Sequence, residues 1–226
     1  MMDVRCWSVR LEAAPQRYYA TLSDDERDRS ARFRFERDRR RFVVARGALR
    51  ELLGRYLDTH PGQVRFIYNA FGKPELHPDF GRGGFKFNLA HSGDLALIAI
   101  ARHADVGVDV ECIEARRESN YADVAENFLS PTEVDALRRV PTHLYDQAFF
   151  SCWTMKEAYV KGRGEGLTIP LTSFSVPIST EPAHAAVRCG GWSLFTLRPA
   201  PGYVGAVAVS ATELLLSGLH SEEWAQ

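Results

Sequence analysis

The sequence lacks the features of a membrane-spanning or disulfide-rich protein. Its longest uninterrupted apolar run, Leu95–Ala101, is much shorter than the roughly 20 residues that a membrane-spanning helix needs. Its four cysteines have no paired spacing, which disfavours zinc knuckles and redox pairs and favours free thiols in a reducing compartment. The chain opens without a charged start followed by an apolar stretch, so we expect no secretory signal and a cytoplasmic location.

The chain also has no excess of either charge, and it contains little lysine. Its 28 basic and 29 acidic residues leave a net charge of −1, whereas a general nucleic-acid binder is usually more basic, so we expect no nucleic-acid partner. Only four basic residues are lysines, and three of these lie in the motifs described below. Arginine is concentrated in Glu26–Arg50, which holds ten arginines against four acids. This segment is either a solvated helix surface with ion pairs or a site for a multiply charged small anion.

What is present predicts two copies of one structural unit. Apolar residues at helical spacing predict a long helix over Asp38–Leu57 and a second over Asp146–Lys161. Each helix is followed by a pair of strands, over Phe85–Ala101 and Trp192–Ser210. We therefore expect an α+β fold, a pseudo-twofold repeat of two similar α+β halves, each of which presents a basic helix position toward their seam.

The two halves are expected to be residues 1–112 and 113–226. A further short strand is predicted over Ser173–Pro177, because apolar and polar residues alternate there.

Two carboxylates lie on one predicted strand, Val106–Glu111. Alternate side chains of a strand share a face, so the valines point into a core and Asp109 and Glu111 point together to the other side. Paired carboxylates are the hard oxygen ligands that Mg²⁺ or Mn²⁺ prefers, and Gly107 would let a ligand approach. The same pattern also fits a strand face that simply meets solvent.

The second predicted long helix carries another acid among aromatic residues. Glu157 lies at the edge of an apolar stripe, where a carboxylate needs a partner. Lys161, one turn further on, could form a simple surface ion pair with it. Alternatively, Glu157 is a third metal ligand or a general base, with Lys156 and Lys161 binding phosphate.

Two weaker motifs are typical of turns when taken alone. One is Phe71-Gly72-Lys73-Pro74, and the other surrounds His91 and Ser92 between two predicted strands. A histidine in such a turn is more often structural or solvated than catalytic.

Together these motifs resemble the Sfp-type 4′-phosphopantetheinyl transferase family. Gly107–Glu111 followed by Trp153–Lys161 is similar to the paired signature of that family. The Gly-Lys-Pro element, the Asn88–Gly93 element and the arginine-rich stretch precede it in the family's order. One departure is Ala90, where many relatives carry serine, which puts at most one coenzyme hydrogen bond in doubt.

The resemblance implies a monomer of two α+β halves that holds coenzyme A between them. It implies Mg²⁺-dependent transfer, with Mn²⁺ possible, of the 4′-phosphopantetheine arm to a serine of an acyl or peptidyl carrier protein, releasing 3′,5′-ADP. We expect neither a membrane nor a nucleic acid as a partner.

By position, the family's site falls on residues of the motifs above. The implied metal ligands are Asp109, Glu111 and Glu157, and the implied catalytic residues are Glu157, which activates the serine hydroxyl, with Asp109 and Lys161. The implied coenzyme contacts are Arg41, Arg46, Lys73, Pro74, Asn88, His91, Ser92, Asp109, Lys156 and Lys161. Among these, Lys73 and the Arg41/Arg46 region would hold the adenosine 3′-phosphate end.

The carrier protein is expected to be acidic, so part of the arginine excess could steer it. The expected apolar docking surface lies within Ile113–Tyr145 and offers Phe128, Leu129, Leu137 and Leu144. Three alternatives are a catalytically silent coenzyme A or nucleotide-binding module, a metal-dependent nuclease or phosphatase, and a pure partner-binding protein. The clustered acids disfavour the first and the third, and the net charge disfavours a nuclease.

Overall fold

The computed structural model describes residues 4–114, 121–180, 186–211 and 219–223. Its strands are β1 (Val4–Arg10), β2 (Phe66–Tyr68), β3 (Pro74–Leu76), β4 (Phe85–Ser92), β5 (Leu95–Arg102), β6 (Val106–Cys112), β7 (Val187–Cys189), β8 (Trp192–Leu197), β9 (Tyr203–Val209) and β10 (Leu219–Glu223). Its α-helices are α1 (Gln16–Tyr19), α2 (Asp24–Ala31), α3 (Glu36–Leu57), α4 (Tyr121–Phe128), α5 (Pro131–Leu137) and α6 (Tyr145–Arg163). Both long helices and both strand pairs predicted from the sequence are confirmed.

The first sheet has the strand order β10-β1-β5-β4. Strand β5 is antiparallel to β1 and to β4, and β10 joins the outer edge of β1 in parallel. The apolar side of α3 covers one face of this sheet, where Val44, Leu49 and Leu53 pack in one cluster with Ile98. The helical spacing of those apolar residues is what places them on one side of α3.

The second sheet repeats this plan. Its order is β6-β9-β8-β7, with every neighbouring pair antiparallel. The order β6-β9-β8 matches β1-β5-β4, and α6 covers this sheet as α3 covers the first. The α+β fold of two similar halves is confirmed.

The division between the halves differs from the one drawn on the sequence after Cys112. Strand β6 pairs along its length with β9, so it belongs to the second sheet. The sheets therefore divide the chain between Arg102 and Val106, and β10 then returns to the first sheet. Apolar alternation locates a strand, but it does not say which strand it pairs with.

The two halves share a buried core. One apolar cluster contains residues of both sheets, among them Leu97, Val108, Phe195 and Val207, all at most 1% exposed. The edge strands β4 and β6 also meet, and the Val108 amide donates a 2.9 Å hydrogen bond to Asn88 Oδ1 across that junction. The seam is thus packed where the two sheets meet.

The segment Ser173–Pro177 is not a strand, which corrects the sequence prediction. Side chains take the place of a neighbouring strand: Lys156 Nζ donates to the Phe174 carbonyl at 2.6 Å, and the Val176 amide donates to Glu133 Oε1 at 2.7 Å. Because those backbone groups are already paired, the segment has no need of a sheet.

The expected apolar docking surface is smaller than predicted. Leu129 and Leu137 are 2% and 1% exposed and belong to the core of the second half, so neither can meet a partner. Phe128 is 48% exposed and remains available, whereas Leu144 is half-buried. Residues 115–120 of that range lie outside the described part of the chain.

In the described residues, no helix has both the length and the apolar character needed to span a bilayer.

Candidate active site

Strand β6 carries its valines and its acids on opposite faces, as predicted. Val106, Val108 and Val110 are at most 1% exposed in the core shared by the halves, while Asp109 and Gly107 face α6. The absence of a side chain at Gly107 makes room for α6, and not for a ligand as the sequence predicted. A Cβ there would overlap the Ala158 carbonyl and the Gly162 amide, so the glycine lets α6 lie directly on the strand.

Asp109 is the most buried acid of the site and pairs with a lysine of α6. Lys161 Nζ donates to Asp109 Oδ1 at 2.5 Å, so the lysine does not form the simple surface pair with Glu157 that the sequence allowed. Asp109 Oδ2 is buried and has no hydrogen-bond partner among the described residues. Burial raises the pKa of Asp109 to about 7, even though Lys161 works in the opposite direction.

Lys161 is held charged by the acids around it. Although burial disfavours the ammonium, Asp109, and then Glu157 and Glu111, raise the pKa of Lys161 above its ordinary value. The pKa of Lys161 thus depends on three acids, Asp109 and Glu111 of β6 and Glu157 of α6.

Glu157 and Glu111 complete the acidic group. Burial, and then the negative charge of Glu111, raise the pKa of the half-buried Glu157. Glu111 is oriented by β4, since Ser92 Oγ donates to Glu111 Oε2 at 2.8 Å and accepts from the Cys112 amide at 3.1 Å. Ser92, expected to contact the coenzyme, thus positions an acid.

His91 lies at the rim of this group, on strand β4 and not in a turn. Partial burial, and then the positive charges of Lys161 and Arg41, lower the pKa of His91. Arg41 is itself paired, through Nε and Nη2, with Asp94 at 2.8 Å and 2.7 Å. The imidazole of His91 therefore lies close enough to Lys161 and Arg41 to be influenced by their charges.

A crevice of about 350 Å³ opens between the turn that joins β2 to β3 and the end of α6. Its lining includes five of the residues predicted from the sequence: Lys73, Pro74, Asn88, Glu157 and Lys161. Apolar side chains, including Phe71, Val160, Ile169 and Leu171, form the rest of its wall. The seam thus holds a cavity whose lining contains both charged and apolar side chains.

Lys156 is not part of this crevice, which departs from its expected contact with phosphate. Its ammonium is fully buried and lies 2.7 Å from both carboxylate oxygens of Glu133, with a third bond to the Phe174 carbonyl. Glu133 also accepts from the Ser130 and Val176 amides. All three donors of the lysine are used inside the second half.

Arg46 is likewise held by its own half. It pairs with the buried Glu26, donates to the Tyr68 hydroxyl at 3.1 Å and lies over the Phe66 ring at 4.3 Å. Although burial opposes its charge, Arg46 and Arg50 hold the pKa of Glu26 below its ordinary value. The arginine excess of the sequence is thus in part a set of structural ion pairs.

The acids offer oxygen ligands of the kind that Mg²⁺ prefers. Among them, Asp109 Oδ2 has no hydrogen-bond partner in the described residues and could serve as a metal ligand. No group of three His, Cys, Asp or Glu side chains within the described ranges is arranged as a ready metal site. These acids alone do not form a metal site, and a cation bound there would need further oxygen ligands.

Sequence reasoning missed two residues that organise the site. Glu133 receives the buried Lys156, and Asn69 shapes the turn at the crevice mouth. Ser130 and Glu133 form a capping box at the start of α5, and the sequence pattern of such a box says nothing about a buried lysine. No pattern in the sequence marked Asn69.

The fold and the site define a transferase of two α+β halves with a charged crevice at their seam. Residues 7–103 match the family model described as 4′-phosphopantetheinyl transferase, N-terminal, and residues 105–208 match that of the 4′-phosphopantetheinyl transferase superfamily. The chain belongs to this superfamily and is a 4′-phosphopantetheinyl transferase.

Curated relatives agree with this assignment. The 4′-phosphopantetheinyl transferase HetI of Nostoc sp. (strain PCC 7120) is 41% identical over 212 residues, which cover 92% of this chain and 88% of HetI. The 4′-phosphopantetheinyl transferase psf-1 of Bacillus pumilus is 33% identical over 74% of this chain and 68% of its own length. Sfp of Bacillus subtilis (strain 168) is 29% identical over 71% of this chain and 68% of Sfp.

Proposed function

We propose that this enzyme transfers the 4′-phosphopantetheine arm of coenzyme A to a serine of an acyl or peptidyl carrier protein, releasing 3′,5′-ADP. The holo carrier protein would then serve fatty-acid, polyketide or nonribosomal peptide synthesis. The observation that carries the proposal is the buried Asp109, with one oxygen on Lys161 and the other without a described partner, beside a crevice lined by Glu157. Lys161 neutralises one side of this desolvated acid, and a second cation at the other oxygen would further favour its charged form.

Asp109, Glu111 and Glu157 are the residues that would hold Mg²⁺. Their proximity supports this, because, in addition to burial, the charges of Glu111 and Glu157 raise the pKa of Asp109, and the charge of Glu111 raises the pKa of Glu157. When bound, the cation would neutralise charge on the diphosphate of coenzyme A, and Mn²⁺ offers the same chemistry.

Glu157 is the proposed proton acceptor, directly or through a water. The serine oxygen bonds to the β-phosphorus while the bond from that phosphorus to the bridging oxygen breaks, and the electron pair leaves with 3′,5′-ADP. The serine proton passes to the Glu157 carboxylate, which the raised pKa makes a stronger base. Lys161, kept charged by Asp109, offsets the charge that develops on the leaving phosphate.

The proposed coenzyme contacts follow the crevice. Asn88 and Pro74 lie in its wall, and His91, with its lowered pKa, can donate to a phosphate oxygen at the rim. Arg41 can reach the adenosine end only by sharing its guanidinium with Asp94. Arg46 and Lys156 act on the coenzyme only through the elements that they hold in place.

The proposed partner is an acidic carrier protein that docks beside the exposed Phe128. That ring stands edge-on to Trp153, one turn of α6 before Glu157, so a partner at this surface would lie near the crevice. We further propose that the enzyme works as a monomer in the cytoplasm, without nucleic acid.

The decisive experiment is intact-mass analysis of an apo carrier protein incubated with this enzyme, coenzyme A and Mg²⁺. We expect a gain of one phosphopantetheine arm, with stoichiometric 3′,5′-ADP. Replacing Glu157 by glutamine should lower kcat at least ~100-fold, the effect usual for losing a general base.

The matched control is Glu165→Gln, a partly exposed glutamate that pairs with Arg163. It should transfer at the wild-type rate. If the wild-type protein binds coenzyme A but never modifies a carrier protein, the silent binding module is correct instead. If Glu157→Gln transfers normally, the proposed base is wrong.

A further inference from the structure

The turn between β2 and β3 is built around one asparagine. Asn69 Oδ1 accepts hydrogen bonds from the amides of Phe71 and Lys73, both at 2.9 Å, and the Asn69 amide donates to the Lys73 carbonyl at 3.0 Å. These bonds fix the backbone of the turn, so the direction of the Lys73 side chain is set by Asn69.

This turn forms three hydrogen bonds to the second half of the molecule. Asn69 Nδ2 donates to the Gly164 carbonyl at 2.8 Å. Lys73 Nζ donates to the Gly162 carbonyl at 2.7 Å and to the Val106 carbonyl at 3.2 Å. All three acceptors belong to α6, its C-terminal cap or the first residue of β6, while both donors belong to the first half.

The contacts fall where a helix most needs donors. The last carbonyls of a helix have no partner within it, and the helix dipole puts partial negative charge there. Lys73 supplies both a donor and a positive charge to this end of α6, from the other half of the protein. Gly164, at φ +70°, allows the approach, since a Cβ there would lie 3.0 Å from Lys73 Cδ.

The C-terminal end of α6, to which the turn bonds, also forms a wall of the crevice. Lys161 immediately precedes Gly162, and Glu157 lies little more than one turn before it. Lys73, Gly164 and Phe71 line the same crevice. The turn therefore sets the spacing between the two walls of the cavity.

Binding phosphate through Lys73 would conflict with this arrangement. The ammonium would have to leave the Gly162 and Val106 carbonyls, which would lose their donor at the packed junction of α6 and β6. Burial already lowers the pKa of Lys73, as expected for an ammonium turned inward.

We propose that Asn69 and Lys73 form a clasp that closes the seam and positions the end of α6, and that Lys73 is a positioning residue and not a ligand of the 3′-phosphate. The clasp deepens the proposed function, because it concerns how the same crevice is held to the width of its substrate.

The test compares coenzyme A with 3′-dephospho-coenzyme A in steady-state transfer assays of Lys73→Met and Asn69→Ala. For both variants, KM should rise about tenfold, the loss of roughly one net hydrogen bond, and kcat should fall as well, because Glu157 and Lys161 lie on the part of α6 that the clasp positions. The rise should be equal for the two coenzymes, because a wider crevice does not discriminate the 3′-phosphate. Lys86→Met, which removes an exposed lysine, should leave both values unchanged.

A second readout does not depend on activity. Hydrogen exchange followed by mass spectrometry should show faster exchange over residues 160–166 in both clasp variants and not in Lys86→Met. If Lys73→Met raises KM for coenzyme A alone, the lysine is a phosphate ligand and the clasp is overturned. Unchanged exchange in both variants also overturns it, whether or not the protein transfers phosphopantetheine. A wild-type protein without transferase activity would count against the proposed function and not against the clasp.

Discussion

At the scale of single residues, the four lysines of the chain occupy four different environments. Lys86 is exposed at the surface, Lys156 is buried on Glu133, Lys161 pairs with Asp109, and Lys73 bonds to carbonyls across the seam. The sequence identified three of them as members of motifs and expected all three to meet phosphate. Of the three, only Lys161, whose side chain is 35% exposed beside its pair with Asp109, is placed to do so, because a motif specifies a position on an element and not the surroundings of its side chain.

The burial of Lys156 could have been predicted from helical spacing. Lys156 is four residues from both Cys152 and Val160, on the buried side of α6, whereas Glu157 and Lys161 lie on another side. A lysine on an apolar stripe needs a buried acid. Which acid it meets depends on the packing of α5 on α6, which no local pattern specifies.

Replacing Lys156 by methionine should therefore affect stability more than chemistry. The change leaves the Glu133 carboxylate buried without its cation, which typically costs about 3–5 kcal/mol. Urea unfolding should show this loss, while the KM for coenzyme A of the folded fraction stays close to wild type. Lys86→Met, at an exposed pair, should cost less than about 0.5 kcal/mol. A large rise in KM with unchanged stability would contradict the structural role.

At the scale of elements, the site depends on α6 lying directly on β6. Sequence periodicity located both elements to within one or two residues of their ends. It also separated the valines of β6 from its acids. It did not show that Gly107 and Gly162 face each other, because close contact between a helix and a strand is a property of their packing.

Gly107→Ala tests this contact. Its new methyl group would overlap the Ala158 carbonyl, so α6 must move away from β6, at a cost of about 1–3 kcal/mol. Because Glu157 and Lys161 move with the helix, we also expect a fall in transfer rate at saturating coenzyme A. Gly81→Ala, where a Cβ would meet no atom within 4 Å, serves as the control and should be neutral in both measurements. If Gly107→Ala keeps wild-type stability and transfer rate, the contact between α6 and β6 does not require a glycine at this position.

At the scale of the whole molecule, the repeat was visible in the order of helices and strands, and the sheet order bears it out. The sequence did not show that β6 opens the second sheet or that β10 returns to the first. Both are pairings between segments distant along the chain. The consequence is a core cluster, with Leu97 and Phe195 among its members, that belongs to both halves.

This shared core predicts that the halves unfold together. Leu49 lies in the core under α3 and Met155 in the core under α6, in clusters that have no residue in common. Truncating either to alanine should remove about 2–5 kcal/mol. If the cluster between the sheets couples the halves, each substitution lowers the same single calorimetric transition, and the van't Hoff and calorimetric enthalpies remain equal. Independent halves would give two transitions, with Leu49→Ala moving one and Met155→Ala the other. We expect a single transition, because unfolding either half would expose the buried face of the other sheet. The two walls of the crevice would then separate in the same transition.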